Sequence, residues 1–213
     1  MRIKLPLTLL AYIFATLPSI ANEAAAPADG GNISITESVR YILDTDMEYN
    51  TTVFQADPST PQAQFGVSFE GDGQQSLTLD KKDTTEKTAQ FLFRPENTDP
   101  RIDTFTLSIS QLDNLHLGGT YGAVELSNNQ GDSVFSITDI GGNVSLDNNT
   151  IERSGNAADA LVSLHSSGNN TIFIDDIGGT LSISNNTKTS GATQSGLGLL
   201  IYSYNKTENS SNS

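Results

Sequence analysis

The stretches Val144-Ser-Leu-Asp-Asn-Asn149 and Leu181-Ser-Ile-Ser-Asn-Asn186 share one pattern: apolar, variable, apolar, polar, then two asparagines. Six segments follow this pattern or a close variant, and their starts are 19, 20, 18, 19 and 19 residues apart. The other four are Phe105–Ser110, Val124–Asn129, Val162–Ser167 and Leu200–Asn205. A unit this short buries its apolar face only by stacking on its neighbours, which predicts a solenoid. The two-residue alternation predicts that its elements are β-strands.

A second, longer period lies over the first. Phe135-Ser-Ile-Thr-Asp-Ile-Gly-Gly142 returns 37 residues later (172 − 135) as Ile172-Phe-Ile-Asp-Asp-Ile-Gly-Gly179. We interpret this 37-residue unit as two coils of about 19 residues each, with the six segments one above another. Their first and third residues should then point inward, at Val124/Leu126, Val144/Leu146, Val162/Leu164, Leu181/Ile183 and Leu200/Tyr202. Their sixth residues should form a stacked amide ladder at one corner, from Asn129, Asn149, Asn186 and Asn205.

The predicted fold class is all-β: a right-handed parallel β-helix (β-solenoid) of five or six coils with an irregular N-terminal cap. All seven prolines lie at or before position 100, as expected when a regular ladder follows, because proline cannot donate to it. The predicted division is a signal peptide over 1–21, a flexible leader over 22–31, an N-terminal cap with irregular β coils over 32–104, parallel β-helix repeats over 105–205 and a polar tail over 206–213.

The first 21 residues have the organisation of an export signal. Arg2 and Lys4 precede an apolar stretch, and Ser19-Ile20-Ala21 provides small residues at a cleavage site. Removing this segment leaves 9 basic residues (11 − 2) against 25 acidic ones, a net charge of −16. This balance argues against nucleic acid and against a basic membrane-binding patch. The absence of cysteine in an exported chain suits a bacterial envelope or exterior.

The repeated motifs also resemble those of a known family. The segments from Gly141 to Thr150 and from Gly178 to Thr187, each Gly-Gly before an alternating strand and Asn-Asn-Thr, resemble the passenger domains of autotransporters, of the polymorphic-membrane-protein type. The resemblance covers about residues 105–205. Such passengers are right-handed parallel β-helices that are exported and often adhesive, and the resemblance implies the same here. The family's Phe-x-x-Asn motif is not clear here, and no C-terminal transmembrane barrel follows, which leaves the export route open.

Carboxylates supply the enzymatic alternative. Right-handed β-helix glycosidases use clustered aspartates, and Asp139, Asp175 and Asp176 could line one face. However, Asp175 and Asp176 should point to opposite faces unless the strand ends between them. With two coils between them, Asp139 and Asp176 would lie about 10 Å apart, at the long end of the inverting range. We therefore interpret Asp139 and Asp176 as turn-capping residues before Gly-Gly.

Other candidate sites are weaker. Glu70-Gly-Asp72-Gly supplies oxygen ligands, but no EF-hand loop or nonapeptide calcium repeat is present. His116 and His165 alternate with apolar neighbours and should face solvent, without the spaced partners of a zinc site. We assign no catalytic, cofactor-binding or metal residue and expect no cofactor.

The function expected from these observations is that of a non-enzymatic, exported bacterial cell-surface protein that acts in adhesion or surface display. Its partners would be host surface proteins or glycans, with further β-helix coils or another chain at the C-terminal edge. The expected location is the cell surface or the exterior, with the periplasm as the alternative. A carbohydrate-active β-helix enzyme (a glycoside hydrolase or a lyase) and a non-functional passenger fragment stay open as alternative functions.

Overall fold

The computed structural model describes residues 22–81, 88–94, 101–128, 130–147, 150–152, 161–184, 186–189 and 201–205. The predicted signal peptide and polar tail lie outside these ranges. The strands are β1 Asn22–Ala25, β2 Asn32–Ile35, β3 Val39–Ile42, β4 Met47–Tyr49, β5 Val53–Ala56, β6 Gln62–Glu70, β7 Ser76–Lys81, β8 Phe91–Phe93, β9 Ile102–Leu112, β10 Asn114–Gly119, β11 Val124–Asn128, β12 Asp132–Ile140, β13 Val144–Ser145, β14 Thr150–Glu152, β15 Val162–Ser166, β16 Asn170–Ile177, β17 Leu181–Ser182, β18 Thr187–Thr189 and β19 Ile201–Asn205.

Three parallel sheets run along the stack. The first sheet has the order β1-β3-β6-β9-β12-β16, the second β17-β13-β10-β7-β4, and the third β19-β15-β11-β8-β5-β2. From β3 onward the chain visits the first, second and third sheets in turn, so one coil contributes one strand to each. A short parallel pair, β14 with β18, accompanies the last two coils. The predicted all-β, parallel β-helical fold is confirmed.

The length of the coil differs from the prediction. Val124 lies beside Val162, which lies beside Ile201, whereas Val144 lies beside Leu181 in another sheet. The segment from Phe105 belongs to the first sheet, where Phe105 lies beside Ser133. The single ladder of six segments is therefore wrong. The 37-residue unit is one three-stranded coil, because similar short strands occur on two of its faces.

The predicted asparagine ladder fails for the same reason. Asn205 lies in register with Ser166 in the third sheet, whereas Asn186 donates from Nδ2 to the Leu146 carbonyl at 2.7 Å. Asn129 and Asn149 lie outside the described residues. The last predicted pair, Leu200/Tyr202, is one residue out of phase, because Ile201 is the residue beside Val162.

The inward-facing positions are otherwise those expected from the alternation. Val124, Leu126, Val144, Leu146, Val162 and Leu164 are all buried. Leu181 and Ile183 are instead 42% and 44% exposed, because the last strand of the second sheet has no described strand beyond it. In the first sheet, Phe135, Ile137 and Ile140 lie directly beside Ile172, Ile174 and Ile177, so the apolar residues of the 37-residue repeat stack on one another.

The N-terminal strands join the same three sheets. The segment Asn22–Ala25, expected to be a flexible leader, pairs with β3, and Asp29 accepts hydrogen bonds from Thr51 and Thr52. The coils here differ in length: Val39 lies beside Val67 and Val67 beside Leu107, offsets of 28 (67 − 39) and 40 (107 − 67) residues. Aromatic rings fill this part of the core, with the centroids of Phe93 and Phe105 only 3.8 Å apart.

Candidate functional site

The corner between the first and second sheets holds the predicted aspartates. Gln111, Asp139 and Asp176 adopt left-handed backbone conformations, with φ of 55°, 56° and 55°. Aspartate tolerates this conformation better than most residues, which explains its presence before Gly-Gly. The extra residue acts as a bulge and interrupts the two-residue alternation. Asp175 and Asp176 are consequently both exposed, contrary to the expectation that they would point to opposite faces.

Asp139 and Asp176 lie closer together than the sequence suggested. Thr138 is in register with Asp175, and Ile140 with Ile177, so the two left-handed aspartates occupy adjacent rungs of the first sheet. Their backbones are therefore separated by one rung of about 4.8 Å. The predicted separation of two coils is wrong, because 37 residues make one coil. Retaining glycosidases hold their two carboxyl groups about 5–5.5 Å apart, so this spacing is compatible with such a pair.

The Gly-Gly pairs let successive corners pack closely. A Cβ atom on Gly142 would lie 2.5 Å from Asn114 Oδ1, and one on Gly179 would lie 2.5 Å from the Gly142 carbonyl oxygen. Side chains also link the rungs here: Asn143 N–H donates to Asn114 Oδ1, and Thr180 N–H donates to Asn143 Oδ1, both at 2.9 Å. The corner that carries the aspartates is therefore a close-packed unit that repeats from one coil to the next.

A hydrogen-bonded group on the second sheet was not predicted. Ser145 donates to Asp147 Oδ2 at 3.0 Å, and Ser184 donates to Asp147 Oδ1 at 2.9 Å. His116 Nδ1 lies 3.4 Å from Ser145 Oγ. Hydrogen bonds from the hydroxyls of Ser182, Ser184 and Ser145 lower the pKa of Asp147, and desolvation opposes them.

This group differs from a hydrolytic triad in its order. In a triad the histidine lies between the serine and the carboxylate, whereas here Ser145 lies between His116 and Asp147. Ser145 donates a hydrogen bond to the Asp147 carboxylate, whose lowered pKa favours its anionic form. The arrangement links adjacent rungs rather than preparing a nucleophile. The recurrence of Ser-x-Asp at 145–147 as Ser-x-Ser at 182–184 was the sequence signal for it.

The other candidate ligands have protein partners. Arg40 Nη1 lies 3.5 Å from Glu70 Oε2, and Asp72 accepts a hydrogen bond from Gln74 N–H at 3.2 Å. His116 and His165 are half-buried at outward positions of their strands. Among the residues that the structure describes, no three His, Cys, Asp or Glu side chains form a group suited to a metal ion.

No helix within the described ranges is long and apolar enough to cross a membrane.

No protein-family model matches the chain, and neither a curated protein nor a solved structure is significantly similar to it. Arguments about function therefore depend on the geometry of the chain itself.

Proposed function

We propose that this chain is an exported bacterial cell-surface protein, an autotransporter-type β-helical passenger that acts in adhesion or surface display. The observation that carries the proposal is the polar outward column on each of the three sheets. Ser108 and Ser136 lie in register on the first sheet, Ser145 and Ser182 on the second, and Ser127 and His165 on the third. All are partly exposed.

Such columns suit contact with a large partner. Six strands at about 4.8 Å extend about 24 Å along the axis, and the ladder fixes their side chains at regular heights. Hydroxyl and carboxylate groups at fixed heights can hydrogen-bond to a protein or a glycan with little loss of side-chain entropy. The net charge of −16 that follows from removal of the signal peptide favours a partner surface with positive charge.

The first test is protease shaving of intact cells, with lysed cells as the control and an antibody against residues 124–205. The proposal predicts that the signal is lost from intact cells. Protection until lysis would place the stack in the periplasm and contradict surface display.

Cysteine labelling sharpens this test, because the native chain has no cysteine. Asp175→Cys places a thiol at an exposed position, and Leu164→Cys places one in the core. A membrane-impermeant maleimide should label the first variant on intact cells and leave the second unlabelled. Labelling of Asp175→Cys only after lysis would count against the proposal.

A carbohydrate-active enzyme is the second candidate, and the short Asp139 to Asp176 spacing favours it. Against it, all three aspartates of the corner are exposed, whereas a catalytic acid needs a less polar environment to hold its proton at neutral pH. Hydrolysis of a polysaccharide panel by the purified protein tests this candidate. Activity that is lost in Asp139→Asn and Asp176→Asn, but kept in the exposed control Asp44→Asn, would establish it; no hydrolysis by the native chain would exclude it for that panel.

A further inference from the structure

The end of the stack formed by β16, β17 and β19 carries uncovered apolar side chains; we call it the C-terminal end. Leu181 and Ile183 are 42% and 44% exposed, the two exposed large apolar side chains among the described residues. One coil earlier, Val144 lies in register with Leu181 and is 0% exposed. An edge strand with exposed apolar side chains is a template for pairing with another chain.

The first sheet is also less covered at this end. Ile172 and Ile174 of β16 pack against the core but are only partly buried. Their register neighbours on β12, Phe135 and Ile137, are 1% and 0% exposed. The loss of burial therefore extends over two of the three edge strands.

The opposite end of the stack is covered by the chain itself. The Tyr49 hydroxyl, on the first strand of the second sheet, donates to the Pro27 carbonyl at 2.7 Å. Asp29 Oδ1 accepts hydrogen bonds from the N–H groups of Thr51 and Thr52 at 3.1 and 3.0 Å. Pro27 has no N–H to offer to a further strand. The two ends therefore do not match for head-to-tail stacking of copies, whereas two C-terminal ends can meet.

The backbone of β17 presents hydrogen-bonding groups at this end. The Ser182 carbonyl accepts from Leu146 N–H at 2.9 Å, so the backbone groups of Ser182 face the preceding coil. Successive residues of a strand direct these groups to opposite sides, so those of Leu181 and Ile183 face away from the stack. A strand that pairs here bonds to these two residues.

The sequence around Ser182 is complementary to itself in an antiparallel pair. Pairing with a second copy centred on Ser182 sets Leu181 opposite Ile183. Six residues to either side (182 − 176 and 188 − 182), the same register sets Asp176 opposite Lys188. Asp176 is exposed at the corner before β17, and Lys188 lies in β18 just after it. A twofold axis through Ser182 thus brings apolar to apolar and acid to base, each of them twice.

We propose that the C-terminal end is a self-association surface for a second copy of this chain. The two copies pair antiparallel through β17, with Ser182 on the twofold axis, and β16 of each copy lies over β19 of the other. A twofold contact of this kind closes after two copies and gives a dimer, not a filament. This pairing is independent of where the chain is displayed.

Sedimentation velocity of the purified chain without its predicted signal peptide gives the first readout. We expect an equilibrium between monomer and dimer that shifts to monomer in Ile183→Glu, because the new carboxylate lies in the apolar contact. Ser34→Glu, at an exposed position of β2 at the opposite end, is the control and should leave the equilibrium unchanged. Monomers at every concentration would overturn the proposal and leave the edge to a strand of another protein. A dimer that Ile183→Glu does not weaken would overturn it as well.

Charge reversal tests the register. Asp176→Lys and Lys188→Asp should each raise the dissociation constant of the dimer by about tenfold, because each creates two like-charge pairs per dimer. The double variant Asp176→Lys/Lys188→Asp should restore the native value. Single variants that associate like the native chain, or a double variant weaker than both, would contradict this register.

Ser182→Cys tests the twofold axis in a chain without native cysteine. Because the Ser182 backbone groups face the preceding coil, the two copies of residue 182 form a non-hydrogen-bonded pair with Cα atoms about 4.5 Å apart, within disulfide range. Mild oxidation should give a covalent dimer of Ser182→Cys and none of the control Ser34→Cys. A dimer in solution that Ser182→Cys does not cross-link would refute the axis.

Discussion

The close packing of successive corners at Gly142 gives the sharpest stability prediction. Gly141 and Gly142 are adjacent, yet their surroundings differ. A Cβ atom added to Gly142 would lie 2.5 Å from Asn114 Oδ1 and 2.6 Å from the Asp113 carbonyl oxygen. At Gly141 the nearest atom, the Leu112 carbonyl oxygen, would be 3.8 Å away, an ordinary contact. Gly142→Ala should therefore disturb the stack, and Gly141→Ala should not.

The magnitude follows from the contacts that Gly142→Ala disrupts. Overpacking of a tight site costs about 1–3 kcal/mol. The bond from Asn143 N–H to Asn114 Oδ1 would also be displaced, and its loss adds about 1 kcal/mol. The sum is about 2–4 kcal/mol. Gly141→Ala should be neutral or stabilise by a few tenths of a kcal/mol, because alanine reduces the entropy of the unfolded chain.

Urea unfolding followed by circular dichroism measures both variants under the same conditions. The account predicts a clearly lower midpoint for Gly142→Ala and a native-like midpoint for Gly141→Ala. Equal midpoints for the two variants would refute the close packing of successive corners.

Two further predictions concern the N-terminal half. Burial of Asp29 acts to raise its pKa, but hydrogen bonds from the Thr52 hydroxyl and from the N–H groups of Thr51 and Thr52 outweigh it, so the pKa lies below its usual 3.8. The contribution of Asp29 to the free energy of unfolding is therefore fully present above about pH 4, and it is lost as the pH falls through the lowered pKa. The midpoint of thermal unfolding should fall more steeply from pH 6 to pH 2.5 for the native chain than for Asp29→Asn. Equal slopes for the two chains would contradict the lowered pKa of Asp29. Phe105→Ala should cost about 3–5 kcal/mol in urea unfolding, because the ring is fully buried against Phe93, and a loss below 1 kcal/mol would contradict that packing.

The fold class could be predicted from the sequence because repetition and alternation depend on neighbours along the chain. The apolar residues at Val124, Leu126, Val162 and Leu164 are buried as their alternation indicates. The coil length could not be derived in the same way. A two-residue period identifies a strand but not its sheet, and Val124 and Val144 begin similar strands in two different sheets.

The candidate site depended on the coil length, and its predicted geometry changed with it. Asp139 and Asp176 became rung neighbours once 37 residues were one coil. The left-handed conformation of Asp176 places it on the surface together with Asp175. The residue at which such a bulge occurs could not be derived from the alternation, because the bulge itself interrupts the two-residue period. Asn128 was missed because one of its acceptors, the Ile102 carbonyl, meets it only through stacking.

Cysteine cross-linking tests the three-stranded coil most directly, in a chain that has no native cysteine. Ser127 and His165 are register neighbours at outward positions, whereas Asp147 would neighbour Ser127 only in a 19-residue coil. Register neighbours lie about 4.8 Å apart, within the range that a disulfide spans. The account predicts that Ser127→Cys/His165→Cys forms a disulfide on mild oxidation and that Ser127→Cys/Asp147→Cys does not. A disulfide in the second variant and none in the first would contradict the three-stranded coil.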